Sequence, residues 1–513
     1  MTLGQDLAAL LLGYPSGGAI DRSADRFNQV IYHGLFVQDD WKVSDKLTFN
    51  LGLRWEYEGP PTERFNRNAR GFDPDAQLDV ASAAQTAYAA DPIPELSPSD
   101  FRVQGGLGFA SDSDRGSVDP DWRNIQPRLG FAYQWNERTV VRGGWAIYTV
   151  PGLFDYRGIY QPGFSQGTTI VPSLDTGVTI RATLDDPFPD GVAEPPGAAN
   201  GANTFVGRSL GRFNHDVGYQ NGQSMRWAVS MQRELPAQWV VEAAYVGNRA
   251  YDLTMYPGND FNINSVPREY LSTSSVRDQA TIDFLTANVD NPLAGLLPGE
   301  DLDSSTVQRQ QLLRPYPQFS GINTRPYEGS SSYASGQFRL EKRFSTGFTM
   351  LTSYTYAHAQ DKLRFLNETD AEPEERSAET DIRHRLVLNG IWDVPFGRDR
   401  RFGADAHPVL NAIAGNWSVS LIWQWQSGRA NLGGFGGLGN VYYDGDINQL
   451  KTDYSGDVSE PVFDTSGFYF QDEAVQTNGV VDPAKQRSDE RIRLANNIRT
   501  LPTRPDQFAD RAT

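Results

Sequence analysis

The clearest hydrophobic pattern in the chain lies in residues 46–58, where apolar and polar positions alternate without interruption. The odd positions from Leu47 to Tyr57 are apolar, whereas the even positions from Lys46 to Glu58 are polar or glycine. An alternation with period two indicates a β-strand that has one apolar face. Soluble strands average about five or six residues, whereas a tilted strand needs about nine to eleven to cross a bilayer. The length of this segment therefore favours a membrane-crossing strand.

Further segments show the same alternation, with large aliphatic or aromatic residues at every second position. They cover residues 30–43, 128–136, 139–150, 224–235, 238–249, 336–344, 348–357, 385–394 and 417–426. Together with 46–58 they predict about ten strands and an all-β fold of antiparallel hairpins.

The predicted connections alternate between short and long. The short turns are Ser44-Asp45, Glu137-Arg138, Pro236-Ala237 and Ser345-Thr346-Gly347. The long polar stretches are 59–126, 151–223, 250–333 and 361–382, and the stretch 396–415 is the exception among the short turns. Loops of this length are uncommon in compact soluble domains. Short turns on one rim and long loops on the other are typical of transmembrane β-barrels, whose short turns are periplasmic and whose long loops are extracellular.

Aromatic residues gather at both ends of the predicted strands. Those beside the short turns are Trp41, Trp135, Trp239, Phe344, Phe348 and Trp417. Those toward the long loops are Trp55, Tyr57, Tyr245, Tyr354, Tyr356, Trp423 and Trp425. Two aromatic girdles that flank an apolar band match the two interfaces of a bilayer. The alternative is a large soluble β-sandwich or propeller, but its strands are shorter and nothing sorts its aromatics to the strand ends.

Charged residues occupy the strand faces opposite the apolar ones. They are Arg54, Glu56, Arg142, Arg226, Glu242, Arg339, Glu341, Arg385 and Asp393. In a barrel this face lines the lumen, so these residues are candidates to dock a plug or to line a solute path. Paired, solvated charges without a substrate role are the simpler interpretation.

Composition narrows the classes of function. The chain has 513 residues, a net charge of −18 and no Cys, which excludes a disulfide scaffold and a Cys nucleophile and disfavours nucleic acid as a partner. No run of about eighteen apolar residues predicts a transmembrane helix. The apolar segment Asp6–Leu12 is short and lacks a basic flank, so we expect any export signal to lie upstream.

Several motifs match known sites only by coincidence. Gly163–Gly167 fits the hydrolase nucleophile elbow, but no helix is expected after it and the next histidine, His215, has no arguable Asp partner. Gly434–Gly439 fits the dinucleotide fingerprint without a βαβ unit. Asp444–Asp446 and Asp112–Asp114 carry acids, but neither completes a calcium loop, and the five His are scattered. The sequence therefore predicts no enzyme, no cofactor and no metal site.

Three sets of residues resemble one family. They are Phe36–Val43 with Leu47–Tyr57, Pro127–Tyr133 with Val141–Tyr148, and Ala244–Arg249 with Asp393–Arg398. Together they resemble the barrel of TonB-dependent outer-membrane receptors, specifically the Oar-like group, over most of 28–430. The resemblance implies a barrel of about twenty-two strands around an N-terminal plug, often preceded by a carboxypeptidase-regulatory-like domain. Since no plug or TonB-contacting box stands before residue 30, we expect a fragment that also stops before the last strands of the family's barrel.

The expected organisation is a loop segment over 1–29, a partial outer-membrane β-barrel over 30–428, and an extracellular tail over 429–513 that leads to missing strands. By resemblance, the whole protein takes up a scarce large solute with energy relayed through TonB, in the outer membrane of a Gram-negative-type bacterium. Loops 59–126, 151–223 and 250–333 then select the solute. The alternatives are a surface adhesion or interaction barrel without transport, and a passive porin.

Overall fold

The computed structural model describes most of the chain between Gln5 and Gly428. The described residues are 5–152, 159–175, 178–213, 216–218, 220–255, 261–271, 279–345, 347–365, 369–370, 372–373, 375–398 and 400–428, with the paired strands Tyr469–Phe470 and Val475–Gln476 beyond them. Apart from those two strands, the predicted tail 429–513 lies outside the described residues. The same holds for the glycine-rich segment 434–439 and for Asp444–Asp446.

Ten long strands form one antiparallel sheet in which every strand pairs with its neighbours in the chain. They are β1 Tyr32–Ser44, β2 Leu47–Glu58, β3 Asp121–Asn136, β4 Thr139–Val150, β5 Gly222–Leu235, β6 Trp239–Leu253, β7 Gly329–Ser345, β8 Phe348–Lys362, β9 His384–Asp393 and β10 Ser418–Gln426. Their lengths run from 9 to 17 residues. The predicted strands, their order and the all-β fold class are confirmed.

The sheet is an open ribbon. A short eleventh strand, Arg376–Ser377, pairs with the end of β8. Within the described part of the chain, β1 pairs only with β2 and β10 pairs only with β9. These two strands are therefore its edges.

The register separates the residue types across the whole sheet. Leu51, Leu129, Trp145, Trp227 and Gly247 lie side by side on adjacent strands. The neighbouring row, displaced by one residue, is Gly52, Arg128, Ala146, Arg226 and Asn248. Because successive side chains point to opposite faces, the first row belongs to an apolar face and the second to a polar face.

Within the part of the chain that the structure describes, much of the apolar face is exposed. Leu35 is 68% exposed and Leu129 is 52% exposed, as are many large side chains on this face. An exposed apolar band of this extent marks a surface that contacts lipid or a partner rather than water.

Three strands extend beyond their predicted ends by five residues or more on the long-loop side. β3 begins at Asp121 rather than 128, β7 begins at Gly329 rather than 336, and β8 ends at Lys362 rather than 357. The backbone ladder continues there although the apolar alternation stops. Alternation therefore marks the length of the apolar band, whereas hydrogen bonding sets the length of the strand.

The connections on the opposite side are short, as expected. Two residues separate β1 from β2 and β3 from β4, and Pro236–Gln238 forms a 3₁₀ turn between β5 and β6. In that turn Ala237 has φ 58°, in the left-handed region. The longer connection between β9 and β10 contains helix α5, Pro408–Ala414, whose first turn is capped by His407.

The long connections contain secondary structure of their own. The first holds strands Thr62–Glu63, Ala69–Gln77 and Gln104–Phe109 and helix α2, Ala81–Ala90. The second holds strands Gln166–Thr169 and Ser209–Phe213 and the 3₁₀ helix Gly201–Asn203. The third holds strands Phe261–Asn262, Asn288–Asp290, Thr306–Gln308 and Gly321–Thr324, the 3₁₀ helix Arg268–Tyr270, and helices α3, Gln279–Thr286, and α4, Arg309–Leu312.

These three connections share one hydrophobic core. Its buried residues are Ala69, Leu78, Ala84, Tyr88, Ile93, Phe101, Val103 and Leu107 from the first, Val206, Leu210 and Phe213 from the second, and Val266, Leu271, Ile282, Leu285, Leu293, Leu297, Leu302, Leu312, Leu313, Phe319 and Ile322 from the third. We call the described residues of 59–120, 151–221 and 254–328 the cap. The sequence pattern predicts long polar loops here, and it does not indicate the core that they share.

The described part of the N-terminal segment, residues 5–29, expected as a loop, is attached to the cap. It contains helix α1, Gln5–Leu11, and two short strands. Ala19–Arg22 pairs with Gln166–Thr169, and Asn28–Gln29 pairs with Thr62–Glu63. Among the described residues, no helix is long and apolar enough to span a membrane.

Candidate functional site

The charged residues predicted to line a lumen all lie on the polar face of the sheet. At its long-loop end, Arg54 forms an ion pair with Glu56 and donates a hydrogen bond from Nη2 to the Tyr32 hydroxyl over 3.1 Å. The Gln126 amide donates to the Glu56 carboxylate and to Thr149 Oγ1. This group is therefore internally paired.

A second group lies toward the short-turn end of the same face. Glu242 stands opposite Arg339 in the register, and Arg339 Nη2 lies 2.9 Å from Glu341 Oε2. Arg142 Nη1 donates to Gln232 Oε1 over 2.8 Å. Exposed pairs of this kind contribute little to stability.

The remaining predicted polar-face residues lie near the edge of the sheet. Arg385 stands opposite Thr355 and Gln426, and Asp393 stands opposite Ser418. The register places them on the polar face, but it brings them together with neither charged group described above.

Arg226 belongs to a third arrangement, which the sequence analysis did not identify. The guanidinium carbons of Arg128 and Arg226 each lie 5.0 Å from the ring centroid of Tyr148. The three residues come from adjacent strands β3, β5 and β4, so the ring is flanked by a cation on each side. Arg128 and Tyr148 both stand at polar-face positions of predicted strands, and that alternation is the signal that points to them.

These three residues border a recess of ≈ 350 Å³ in the polar face. Its floor is strand backbone at small residues, among them Gly52, Gly130, Gly144, Ala146 and Ala228. A Cβ added at Gly144 would meet only a backbone oxygen, at 3.5 Å, so the space above it is open. Lack of side chains, rather than a gap between elements, creates this recess.

A buried carboxylate ties the N-terminal segment to the cap. The side chain of Glu63 is 0% exposed. It accepts hydrogen bonds from the backbone N–H of Phe65 at 2.7 Å, of Arg67 at 3.0 Å and of Phe27 at 3.4 Å, and from Arg67 Nη2 at 3.0 Å. Burial by itself raises the pKa of this carboxyl group, but the four donors outweigh it and lower the pKa from 4.5 to about 2.

The cap segments contact one another through backbone as well as side chains. Ser209–Phe213 pairs in parallel with Gly321–Thr324, which links the second segment to the third. A Cβ at Gly106 of the first segment would come within 2.4 Å of the Ala202 carbonyl oxygen in the second. Only glycine permits this approach, so the cap is closely packed where its segments meet.

The predicted aromatic girdle residues Trp41, Trp55, Tyr57, Trp135, Trp239, Tyr245, Trp417 and Trp425 have the apolar-face parity. At the long-loop end, Tyr57 stacks on Trp122 with ring centroids 4.1 Å apart, and Trp55 Nε1 donates to the Trp122 carbonyl over 2.9 Å. Trp145 and Trp227 lie between the two ends. The sorting of aromatics is therefore incomplete, and the girdles stay a prediction.

Two of the motifs set aside in the sequence, Gly163–Gly167 and Asp112–Asp114, lie within the part of the chain that the structure describes. Ser165 of the Gly163–Gly167 motif accepts a hydrogen bond from the Ala24 N–H over 3.1 Å, and a strand follows it rather than a helix. Asp112 accepts a hydrogen bond from the Asn66 amide over 2.8 Å. Throughout the part of the chain that the structure describes, no three His, Asp or Glu residues are placed to hold a metal ion. His215 lies outside the described residues.

Comparison with family models finds one described as an outer membrane beta barrel domain, which matches residues 1–486. Comparison with curated proteins finds no match. Solved structures with a similar arrangement include the alcaligin outer-membrane receptor FauA from Bordetella pertussis, at 10% identity and a TM-score of 0.31, over 78% of this chain and 38% of that one.

Two other similar structures have comparable values. The ferripyoverdine receptor of Pseudomonas aeruginosa shares 9% identity at a TM-score of 0.29, over 71% of this chain and 26% of that one. The siderophore receptor PiuA from Acinetobacter baumannii shares 8% identity at a TM-score of 0.29, over 72% of this chain and 32% of that one. The chain thus spans well under half the length of each of these three structures.

Proposed function

Because this chain belongs to the family of outer-membrane β-barrel domains, we propose that it supplies part of the wall and the recognition surface of a TonB-dependent receptor. Its place is the outer membrane. The receptor takes up a scarce, large solute, using energy relayed from the inner membrane. The apolar face of β1–β10 contacts lipid, and the polar face lines the lumen, where a plug docks in the complete protein.

The observation that carries this proposal is the shared core of the cap. A passive pore needs no folded structure over its long-loop rim, whereas a receptor needs side chains held in fixed positions before the solute arrives. Leu210 and Ile322 come from different segments and are both 0% exposed, so these segments hold each other in place. Recognition by loops on a rigid scaffold follows the same logic.

The sequence resemblance to the Oar-like group supports the TonB dependence. The polar face agrees with it, because Arg54 with Glu56 and Arg339 with Glu341 form a charged lining of the kind that can dock a plug. Adhesion without transport remains the competing function, since a folded cap also suits partner binding.

The test uses the complete gene product in its own bacterium. A deletion strain and a complemented strain are supplied with radiolabelled large solutes, both metal chelates and oligosaccharides, and uptake is followed over minutes with and without a protonophore. We expect at least one solute whose uptake needs the gene and stops with the protonophore, while surface binding persists. Binding without uptake for every solute would instead establish adhesion.

A second measurement addresses the porin. The purified complete protein is placed in liposomes, and swelling in small sugars is recorded. A receptor with a closed lumen gives no swelling above that of protein-free liposomes. Steady swelling would replace the receptor with a passive pore.

A further inference from the structure

We propose that Arg128, Tyr148 and Arg226 form a binding site for an oxyanion, a carboxylate or phosphate group, on the polar face of the sheet. The inference rests on the proposed function only in placing this face toward the lumen. The oxyanion belongs either to a solute or to another segment of the same protein.

The arginines of the polar face differ in their charged partners. Arg54 and Arg339 on the polar face pair with glutamates, and Arg343 lies 3.7 Å from Glu234. Among the described residues, by contrast, neither Arg128 nor Arg226 forms an ion pair with Asp or Glu. The chain carries 64 acidic residues against 46 basic ones, so two neighbouring arginines without an acid are not a result of scarcity.

Arg128 and Arg226 occupy matching positions on the two strands beside β4. Arg128 and Arg226 both stand opposite Ala146 in the register, one on each side of β4. Adjacent strands lie about 4.8 Å apart, so the two Cα atoms are separated by about 10 Å and the side chains converge on the ring of Tyr148. The two cations repel each other, and an anion bound between or above them would offset that repulsion.

The Nε atoms of Arg128 and Arg226 are poorly satisfied by hydrogen bonds. Arg128 Nε is buried and has no hydrogen-bond partner. Arg226 Nε donates to Ser224 Oγ over 3.3 Å, a long contact for such a donor. Buried donors are usually satisfied, so a guanidinium nitrogen without a partner beside this recess is available to an anionic acceptor. Arginine offers planar pairs of donors that match carboxylate and phosphate oxygens.

The recess beside Arg128, Tyr148 and Arg226 can hold a small ligand group. The recess of ≈ 350 Å³ is at the small end of the roughly 300–1,000 Å³ of ligand pockets. The Tyr148 ring borders it and holds the two guanidinium groups beside it. Tyr148 lies two residues before the end of β4 at Val150, where the chain enters the cap. A solute that passes from the cap onto the polar face therefore meets this site early.

The test uses the complete protein purified from outer membranes, with citrate and inorganic phosphate as probes and calorimetry as the readout. The double variant Arg128→Gln/Arg226→Gln is compared with Arg138→Gln/Arg343→Gln, which removes the same charge at the short-turn end. If the site serves a solute, wild type and the matched control bind at least one probe, and the double variant binds it at least about tenfold more weakly, a loss of at least about 1.4 kcal/mol.

If another segment of the protein occupies the site, neither probe binds the wild type. The Arg128→Gln/Arg226→Gln variant then releases that segment, and limited proteolysis cuts it faster than in wild type and in the matched control. Equal probe binding and equal proteolysis in all three proteins would overturn the proposal. Loss of probe binding in the double variant together with no energised uptake of any solute would keep this site and reject the receptor function.

Discussion

The side-chain amide of Gln318 donates a hydrogen bond of 2.6 Å to the backbone carbonyl of Gln104, across 214 positions of the chain. The same amide lies 3.3 Å from the Gly105 carbonyl, and the Gln318 backbone carbonyl accepts from the Gly207 N–H over 2.8 Å. One residue, 0% exposed, thus joins all three segments of the cap.

Replacing Gln318 with Ala should loosen the cap. The change leaves the buried Gly105 carbonyl and the partly buried Gln104 carbonyl without their side-chain donor, at a cost of about 1–3 kcal/mol. Hydrogen exchange of cap amides would then be faster. The unheated variant should migrate like unheated wild type in detergent electrophoresis, because the sheet stays folded. The matched control is Gln85→Ala on the exposed side of α2, which should change nothing measurable. Equal protection in both variants would contradict the joining role of Gln318.

Acid should release the N-terminal segment from the cap through Glu63. Its pKa is lowered from 4.5 to about 2 in the fold, so its contribution is complete above pH 4.5 and is lost as pH falls toward 2. A shift of this size corresponds to a free energy on the order of 3 kcal/mol. Amide protection factors of Phe27, Phe65 and Arg67, measured between pH 6 and about 2, should fall with the pH in wild type.

Glu63→Gln removes this dependence. The variant should show weaker protection at neutral pH and little further loss on acidification, because its amide does not titrate. Glu137→Gln in the exposed turn between β3 and β4 serves as the control and should follow wild type. A Glu63→Gln profile that matches wild type would show that another group controls the acid response.

The facing of the sheet can be tested at two adjacent residues. Leu51 lies on the apolar face opposite Leu129, whereas the Asn50 amide donates to Asp40 on the polar face. Leu51→Arg should cost about 2–4 kcal/mol if it lies near the midplane of the bilayer, and Asn50→Arg should cost little. Urea unfolding of the complete protein in lipid vesicles measures both. Similar losses at the two positions would reverse the assignment of the faces.

One glycine supports a large ring on the apolar face. A Cβ at Gly247 would lie 2.2 Å from Trp227 Cε2, so Gly247→Val must displace the indole, at about 1–3 kcal/mol. Gly336→Val, on β7 and the same face, has no neighbour within 4 Å and is the matched control. Unfolding in vesicles reports the difference, and so does the emission assigned to Trp227 by comparison with Trp227→Phe, because the chain has 11 Trp. An unshifted emission in Gly247→Val would show that the ring does not rest there.

The sheet was predictable because its information is local. Alternation in residues such as 46–58 marks a strand, and a two-residue turn such as Glu137-Arg138 dictates its neighbour. The extra length of β3 and β7 was not predictable, because residues beyond the apolar band form backbone hydrogen bonds to the next strand without any alternation of apolar side chains.

The cap was not predictable, because its contacts join segments that are far apart in the sequence. Leu210 and Ile322 meet through a parallel pairing between distant segments, and no short-range period announces it. The grouping of Arg128, Tyr148 and Arg226 has the same origin. Each residue is visible as a polar-face position, but only the register of three strands brings them together.

The cap has a hydrophobic core, whereas the sheet holds its apolar residues outward, so the two parts depend on different solvents. In water, the hydrophobic effect favours burial of the apolar side chains in the core of the cap. In a bilayer, the apolar side chains of the sheet contact lipid. Heat or denaturant should therefore melt them as two separate cooperative units, with the cap first to open. Substitutions can then accumulate in the cap and alter what is recognised without weakening the wall, which gives this architecture room to diversify its specificity.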